Sequence, residues 1–173
     1  LMSTKLPLFL SCGKLYNASL TGGGTRKIKK KQKENMIFTY QVPGDDFSRA
    51  GYASAEMKKK LQQLGLPSPI IKRTSIAMFE AEINMAVHAG GGEASIEIDD
   101  DQIVIIMKDT GPGIADIEKA MEEGYSTAPQ KIQELGFGAG MGLPNMKRNS
   151  DFFNIDSKVG EGTTVTMKIK IQE

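Results

Sequence analysis

The chain has 173 residues, the length of one ordinary domain, and with 39% hydrophobic residues it can bury a working core. Charged residues make up 25% and the formal net charge is +1, so nothing global argues for nucleic acid or a membrane surface as a partner. Cys12 is the only cysteine, which excludes an intramolecular disulfide and fits a reducing compartment, by default the cytoplasm.

The near-neutral total hides an asymmetry. Eight of the 22 Lys and Arg (Lys5, Lys14, Arg26, Lys27, Lys29, Lys30, Lys31 and Lys33) precede Met36, against Glu34 alone; from Met36 onward 14 basic residues face 20 acidic ones. Residues 1–35 show neither helical nor strand periodicity and end in the run from Arg26 to Lys33 after Gly22-Gly23-Gly24. The expectation is a disordered basic tail, with a basic arm for acidic partners as the alternative. Leu6 to Cys12, preceded by Lys5, has the outline of a signal or lipoprotein segment. Pro7 interrupts it, its apolar part falls short of a signal core of about 7–15 residues, and no run reaches the ~20 needed to span a bilayer. One ordered domain is expected over residues 36–173, with Met36 as an alternative start.

The ordered part alternates element types. Ile37 to Val42 reads as a strand stopped by Pro43-Gly44. Phe47 to Leu64 reads as a helix, with Asp46 or Ser48 as cap and Gly65 at its end. Ile70 to Ala89 reads as a second helix that places Ile76, Phe79, Ile83, Met85 or Ala86 and Val87 at helical spacing and stops at Gly90-Gly91-Gly92. Ala94 to Ile98 and Ile103 to Lys108 form a hairpin signal around Asp99-Asp100-Asp101. A short helix is expected from Ile114 to Glu123, then a Gly-, Ser-, Thr- and Pro-rich stretch to Gly142, the natural place for a mobile loop. Leu143 to Asn149 reads as helical. Phe152 to Ser157 and Thr163 to Ile171 read as strands around Gly160-Glu161-Gly162, with Val165, Met167, Ile169 and Ile171 alternating against polar neighbours. The sum is an α/β sandwich, one mixed and mostly antiparallel sheet covered on one face by helices.

Three segments carry candidate chemistry. Glu80, Asn84 and His88 recur every fourth residue and project from one helix face. There an Asn oxygen can hold a magnesium ion bridged to phosphates and a carboxylate can take a proton from an attacking hydroxyl; a solvated helix face shows the same spacing. Asp109-Thr110-Gly111-Pro112-Gly113-Ile114 follows a buried strand, and its turn brings little side-chain bulk beside a carboxylate able to accept a purine amine. An ordinary Asp-Gly turn is the alternative. Gly136-Phe137-Gly138-Ala139-Gly140-Met141-Gly142-Leu143 places glycines at every second position before a helix, as a phosphate cradle requires and as a hinge also allows. It is neither a P-loop nor a Rossmann fingerprint, since no Gly-Lys-Ser/Thr follows and no strand precedes it.

Taken in order, Glu80 to Asn84, Asp109 to Gly113 and Gly138 to Gly142 resemble the N box and two glycine boxes of the GHKL superfamily of gyrase-type ATPases, the ninety-kilodalton heat-shock chaperone, histidine kinases and MutL. Gly160-Glu161-Gly162-Thr163-Thr164 is similar to the final glycine-threonine element of that fold. The likeness covers about Met36 to Glu173 and implies a Bergerat, histidine-kinase-like ATPase fold. Within it, Asp116-Ile117-Glu118-Lys119-Ala120-Met121, Gly124-Tyr125-Ser126-Thr127 and Gly142-Leu143-Pro144-Asn145-Met146-Lys147-Arg148 resemble the anti-sigma-factor and stress-switch serine/threonine kinases.

That resemblance implies ATP and Mg²⁺, with Glu80 as general base, Asn84 as metal ligand and Asp109 as the adenine-reading carboxylate. It implies Gly111, Gly113 and Ile114 at the adenine, Gly138, Ala139, Gly140, Met141, Gly142 and Leu143 at the phosphates, and Thr163 near the base. It places His88 near the phosphates; a plain helix histidine is the alternative there. The implied substrate is a serine of a STAS-domain antagonist, with a phosphatase or sigma factor downstream, and the oligomeric state stays open. Two other readings are a non-catalytic ATP-binding regulator and a fragment of a histidine kinase. The latter needs a helical hairpin with a phosphoacceptor histidine upstream, whereas His88 is the sole histidine. Ala128 to Leu135 departs from the family pattern by lengthening the lid.

Overall fold

The computed structural model describes residues 35–44, 49–134 and 137–172. The expected basic tail over residues 1–35, but for Asn35, and the expected caps Asp46 and Ser48 lie outside the described residues. Strand β1 spans Met36–Pro43, helices α1 and α2 span Tyr52–Gln63 and Ser68–Asn84, and the last turn of α2 widens into a π-helical turn over Met85–Ala89. Strands β2 (Gly91–Ile98) and β3 (Gln102–Lys108) follow. Next come short helices α3 (Ile117–Ala120) and α4 (Gln130–Glu134), helix α5 (Gly142–Arg148), and strands β4 (Phe152–Lys158) and β5 (Gly162–Lys170).

The five strands form one sheet in the order β1-β2-β3-β5-β4. Every pairing is antiparallel, so the sheet lacks the parallel component that a mixed sheet would have. Period-two alternation sends one set of side chains to the helices. The register aligns Phe38, Ile96, Ile105, Met167 and Phe153 in one row across the sheet, and Tyr40, Ala94, Met107, Val165 and Ile155 in the next. Ala94, Ile96, Ile103, Ile105, Met167 and Ile169 are fully buried beneath the helices. Residues on the opposite face, including Ser95, Val104, Ile106, Thr166 and Lys168, are more open to solvent. Among the described residues no helix is long and apolar enough to cross a membrane.

Helix α2 lies over the sheet between α1 and α5, and this double flanking changes which residues it buries. The expected set of Ile76, Phe79, Ile83, Met85 or Ala86 and Val87 is corrected in part: Ile83, Met85 and Ala86 are buried, whereas Ile76 and Val87 are half-buried and Phe79 is 40% exposed. The buried set is Ile71, Thr74, Ala77, Met78, Ala81, Glu82, Ile83 and, in the π turn, Met85 and Ala86. Small residues at 77 and 81 let the helix sit close to the sheet, and Met78 fills the space toward its neighbours.

The helix boundaries also move. Helix α1 begins at Tyr52 because Gly51 takes φ 88°, a left-handed conformation that breaks the helical run expected from Phe47. No side chain of α1 caps its own N-terminus. The carboxylate of Glu82, 1% exposed, does so from α2, accepting the N–H groups of Ala53 at 2.8 Å and Ser54 at 2.9 Å. Two of the N–H groups that a helix start leaves unpaired are thereby satisfied, and a buried carboxylate gains the donors its burial demands. Helix α3 is shorter than expected, because Asp116 caps it, accepting from Lys119 N at 3.0 Å, while Ile114 N donates instead to Ser157 Oγ at 2.8 Å.

Glu82→Ala is expected to lower the unfolding free energy by about 3 kcal/mol, since it leaves two helix-terminal donors unpaired in a buried site. Urea denaturation checks this, and a loss below ~1 kcal/mol would show that the cap contributes little.

Candidate functional site

A cleft of about 550 Å³ opens between α2, the segment after β3, and the glycine segment leading into α5. That size suits a nucleotide-scale ligand. Met107 and Val165 from the sheet, with Leu143 and Met146 from α5, give it apolar surfaces. Glu80, Asn84 and His88 line one wall; Asp109, Gly113, Ile114 and Thr163 line another; Gly138, Ala139, Gly140, Met141, Gly142 and Leu143 close the third side. Three segments far apart in sequence thus meet in one cavity.

Gly111 is the one sequence-predicted residue outside this lining. Its N–H donates to Asp109 Oδ1 at 2.9 Å, and a Cβ there would press on Ala89 at 2.6 Å. Glycine at 111 therefore holds the turn against the end of α2, and its bearing on the cleft runs through Asp109.

Asp109 is held by the backbone around it. Oδ1 accepts from Gly111 N and from Thr163 N at 3.1 Å, while the Asp109 N–H donates to Thr163 O at 2.9 Å. These contacts commit one carboxylate oxygen to the fold; Oδ2 has no hydrogen-bond partner among the described residues. Ser157, which the sequence reading passed over, anchors the same corner: its hydroxyl lies 2.8 Å from Thr163 Oγ1, and it accepts from Ile114 N. A serine in an alternating strand carries no signal of this, because its role depends on the register between β4 and β5.

On α2, Glu80 and Asn84 are half-buried. Glu80 Oε1 accepts from Asn145 Nδ2 of α5 at 2.7 Å. A Cβ on Gly142 would sit 2.8 Å from Asn84 Oδ1, so glycine there leaves room for the Asn84 carboxamide at the end of the glycine segment. His88, on the π turn, stands at the rim with its edge open to solvent, and partial desolvation by the protein beside it holds its pKa below the usual histidine value. A π turn at the end of such a helix shifts the following side chains relative to a regular α-helix, a device common at functional sites.

The long loop is built rather than bare. Helix α4 interrupts it, Gln133 Nε2 donates to Ala128 O at 2.8 Å, and Ser126 Oγ accepts from Ala128 N at 3.1 Å. Tyr125, Ser126 and Thr127 reach the cleft from its near end. Its far end returns at Gly138 and Gly140, both at φ 73°, and the Gly124 N–H ties the two ends by donating to Gly140 O at 3.0 Å. Gly136 of the expected cradle, and Leu135 before it, lie outside the described residues.

The chain matches the model of the family described as histidine kinase-, DNA gyrase B-, and HSP90-like ATPase over residues 70–173, the stretch that contains α2 from Ile70 onward, the Asp109 turn, the glycine segment and β5. It belongs to that family. The family's ATPase character implies that the chain binds ATP. The chain is 38% identical over 108 residues to the serine/threonine-protein kinase RsbT of Bacillus subtilis, covering 60% of this chain and 75% of that protein. It is 30% identical over 152 residues to an anti-sigma F factor of Pasteuria penetrans, covering 83% and 93% of the two chains. An anti-sigma F factor of Clostridium beijerinckii is 34% identical over 144 residues, covering 80% and 94%. These relatives match the resemblance read from the motifs.

Gly142→Ala is expected to keep the fold, changing stability by less than about 1 kcal/mol, because only a movable side-chain tip stands in the way. By displacing the Asn84 carboxamide it should weaken nucleotide binding about tenfold, as calorimetry would read. Unchanged affinity would remove Asn84 from the ligand contacts.

Proposed function

We propose that this chain is an ATP-dependent protein serine/threonine kinase of the anti-sigma and stress-switch type, acting on a serine of a STAS-domain partner. One observation carries the reading: a carboxylate, a carboxamide, a backbone-held aspartate and a glycine cradle, each unremarkable alone, line the same cleft. The kinase and anti-sigma relatives support it. A phosphatase or sigma factor acting downstream of the partner fits the same type of switch.

Asp109 reads the adenine. Its free oxygen accepts the exocyclic amine, while Gly113 and Ile114 pack beside the base and Thr163, through its backbone, keeps the carboxylate aimed. Gly111 acts at one remove, by fixing Asp109. The backbone N–H groups of Gly138 to Gly142 take the phosphates, with Ala139, Met141 and Leu143 lining the approach and His88 at the rim.

The donor set fits a magnesium ion shared with the nucleotide. Among the described residues no group of three or more His, Cys, Asp and Glu is placed to hold a metal, whereas Asn84 offers one neutral oxygen in the cleft. A cation that keeps phosphate and water oxygens needs little more from the protein. When bound, Mg²⁺ supplies charge neutralisation on the phosphates.

Glu80 is the base. It accepts the proton of the incoming serine hydroxyl as that oxygen bonds to the γ-phosphorus and the bond to the β,γ-bridging oxygen breaks, leaving ADP and phosphoserine. Transfer of this kind asks chiefly for positioning, which suits a site with so few reactive side chains. An ATP-regulated binder without catalysis would need the cradle and Asp109 but no carboxylate at position 80.

The test incubates the protein with γ-labelled ATP, magnesium and purified STAS-domain proteins. Labelled phosphoserine is expected, and Glu80→Ala should reduce labelling by roughly 10²–10⁴-fold while nucleotide binding persists. Label transfer at the normal rate by Glu80→Ala would show that Glu80 is not the base, and wild-type protein that binds ATP but labels no partner would favour the binder.

A further inference from the structure

Asn145, half-buried on α5, stands between the cleft and the surface. Its Nδ2 donates to Glu80 Oε1 at 2.7 Å and its Oδ1 accepts from Arg148 Nη1 at 3.3 Å, so both contacts agree on the orientation of the amide. Arg148 also pairs with Glu123, which lies just before Gly124, where the long loop is tied to Gly140. A line of polar contacts therefore runs from Glu80 through α5 to the base of that loop.

A glutamate carboxylate turns readily about its terminal torsion. A fixed donor on Oε1 removes much of that freedom and leaves Oε2 to receive a proton. An amide does this without neutralising the carboxylate, as an ion-pairing lysine or arginine would. Nor is the contact required to dock the two helices: Leu143 and Met146 of α5 already share the buried core with Ala77 and Ala81 of α2.

We propose that Asn145 is a positioning residue that holds Glu80 in the orientation for proton transfer, its own amide being set by Arg148 and Glu123. The inference rests on Glu80 being the base. Arg148 and Glu123 are 52% and 60% exposed, so their pairing is weak and their share of the effect is the smaller one.

Single-turnover release of labelled γ-phosphate from Mg·ATP to water, with protein in excess, tests this without a partner protein. In that reaction a water oxygen bonds to the γ-phosphorus, ADP leaves, and the water proton goes to Glu80. Asn145→Ala is expected to slow release about tenfold, with ADP affinity by calorimetry unchanged within about twofold. Arg148→Ala should slow it about twofold. In a Glu80→Asp background, where the shorter side chain falls short of the amide, Asn145→Ala should add nothing. Asn145→Asp, which keeps the size but presents a like charge, should slow release at least as much as alanine and covers the case in which Asn145→Ala fails to fold. A normal rate in both Asn145 variants, or an equal slowing in the Glu80→Asp background, overturns the positioning role. Glu80→Ala separates the two claims: if it releases phosphate normally, the base assignment falls and the inference with it, whereas a dead Glu80→Ala beside a normal Asn145→Ala removes only the inference.

Discussion

Glu80 and Glu82 stand two residues apart on α2, about 200° around a regular helix, and face opposite tasks. Glu82 is buried and committed to the backbone of α1, where its carboxylate closes the helix start at Ala53 and Ser54. That commitment fixes the rotation of α2 about its axis, because any turn that freed Glu80 from the cleft would pull the buried Glu82 carboxyl group off the N–H groups of Ala53 and Ser54. Asn84, four residues beyond Glu80, is carried to the same wall of the cleft. The orientation of the whole functional face is thus set by an interaction on the far side of the helix.

The other walls obey a similar economy. Asp109 leaves the end of β3 with one oxygen tied to the backbone of the glycine turn and of β5, so a strand register fixes where its second oxygen points. In the glycine segment, positive φ at Gly138 and Gly140 folds the chain back on the start of the loop, and Gly142 makes room for Asn84. Acid, amide and peptide groups do the positioning, and the fold supplies their precision. This agrees with a chemistry that depends on alignment and charge more than on a reactive side chain.

Much of this was legible in the sequence. Strand alternation in β5 and the hairpin of β2 and β3 follow directly from period-two patterning, and the glycine boxes in their fixed order pointed to the cleft. The packing of α2 was legible only at Ile83, Met85 and Ala86, because a helix buried between two others on a sheet hides residues around more than half its girth and blurs the single apolar stripe that periodicity looks for. Glu82 was missed for the same reason: a lone glutamate in a helix reads as solvated until the helix start it caps is known. Asn145 and Ser157 were invisible as site residues because their partners, Glu80 and Thr163, are reached only through tertiary packing and strand register. Gly111 shows the converse, a motif residue whose place is to hold the turn behind the cleft.

Adenine nucleotides should enter this cleft through the second oxygen of Asp109. Calorimetric titration of the purified protein with ATP and, separately, GTP, each with magnesium, is the most direct measurement. A saturable heat with ATP is expected, with GTP binding at least about a hundredfold more weakly because a carbonyl replaces the amine that Asp109 accepts. Equal affinity for the two, or no heat with ATP at millimolar concentration, would contradict it.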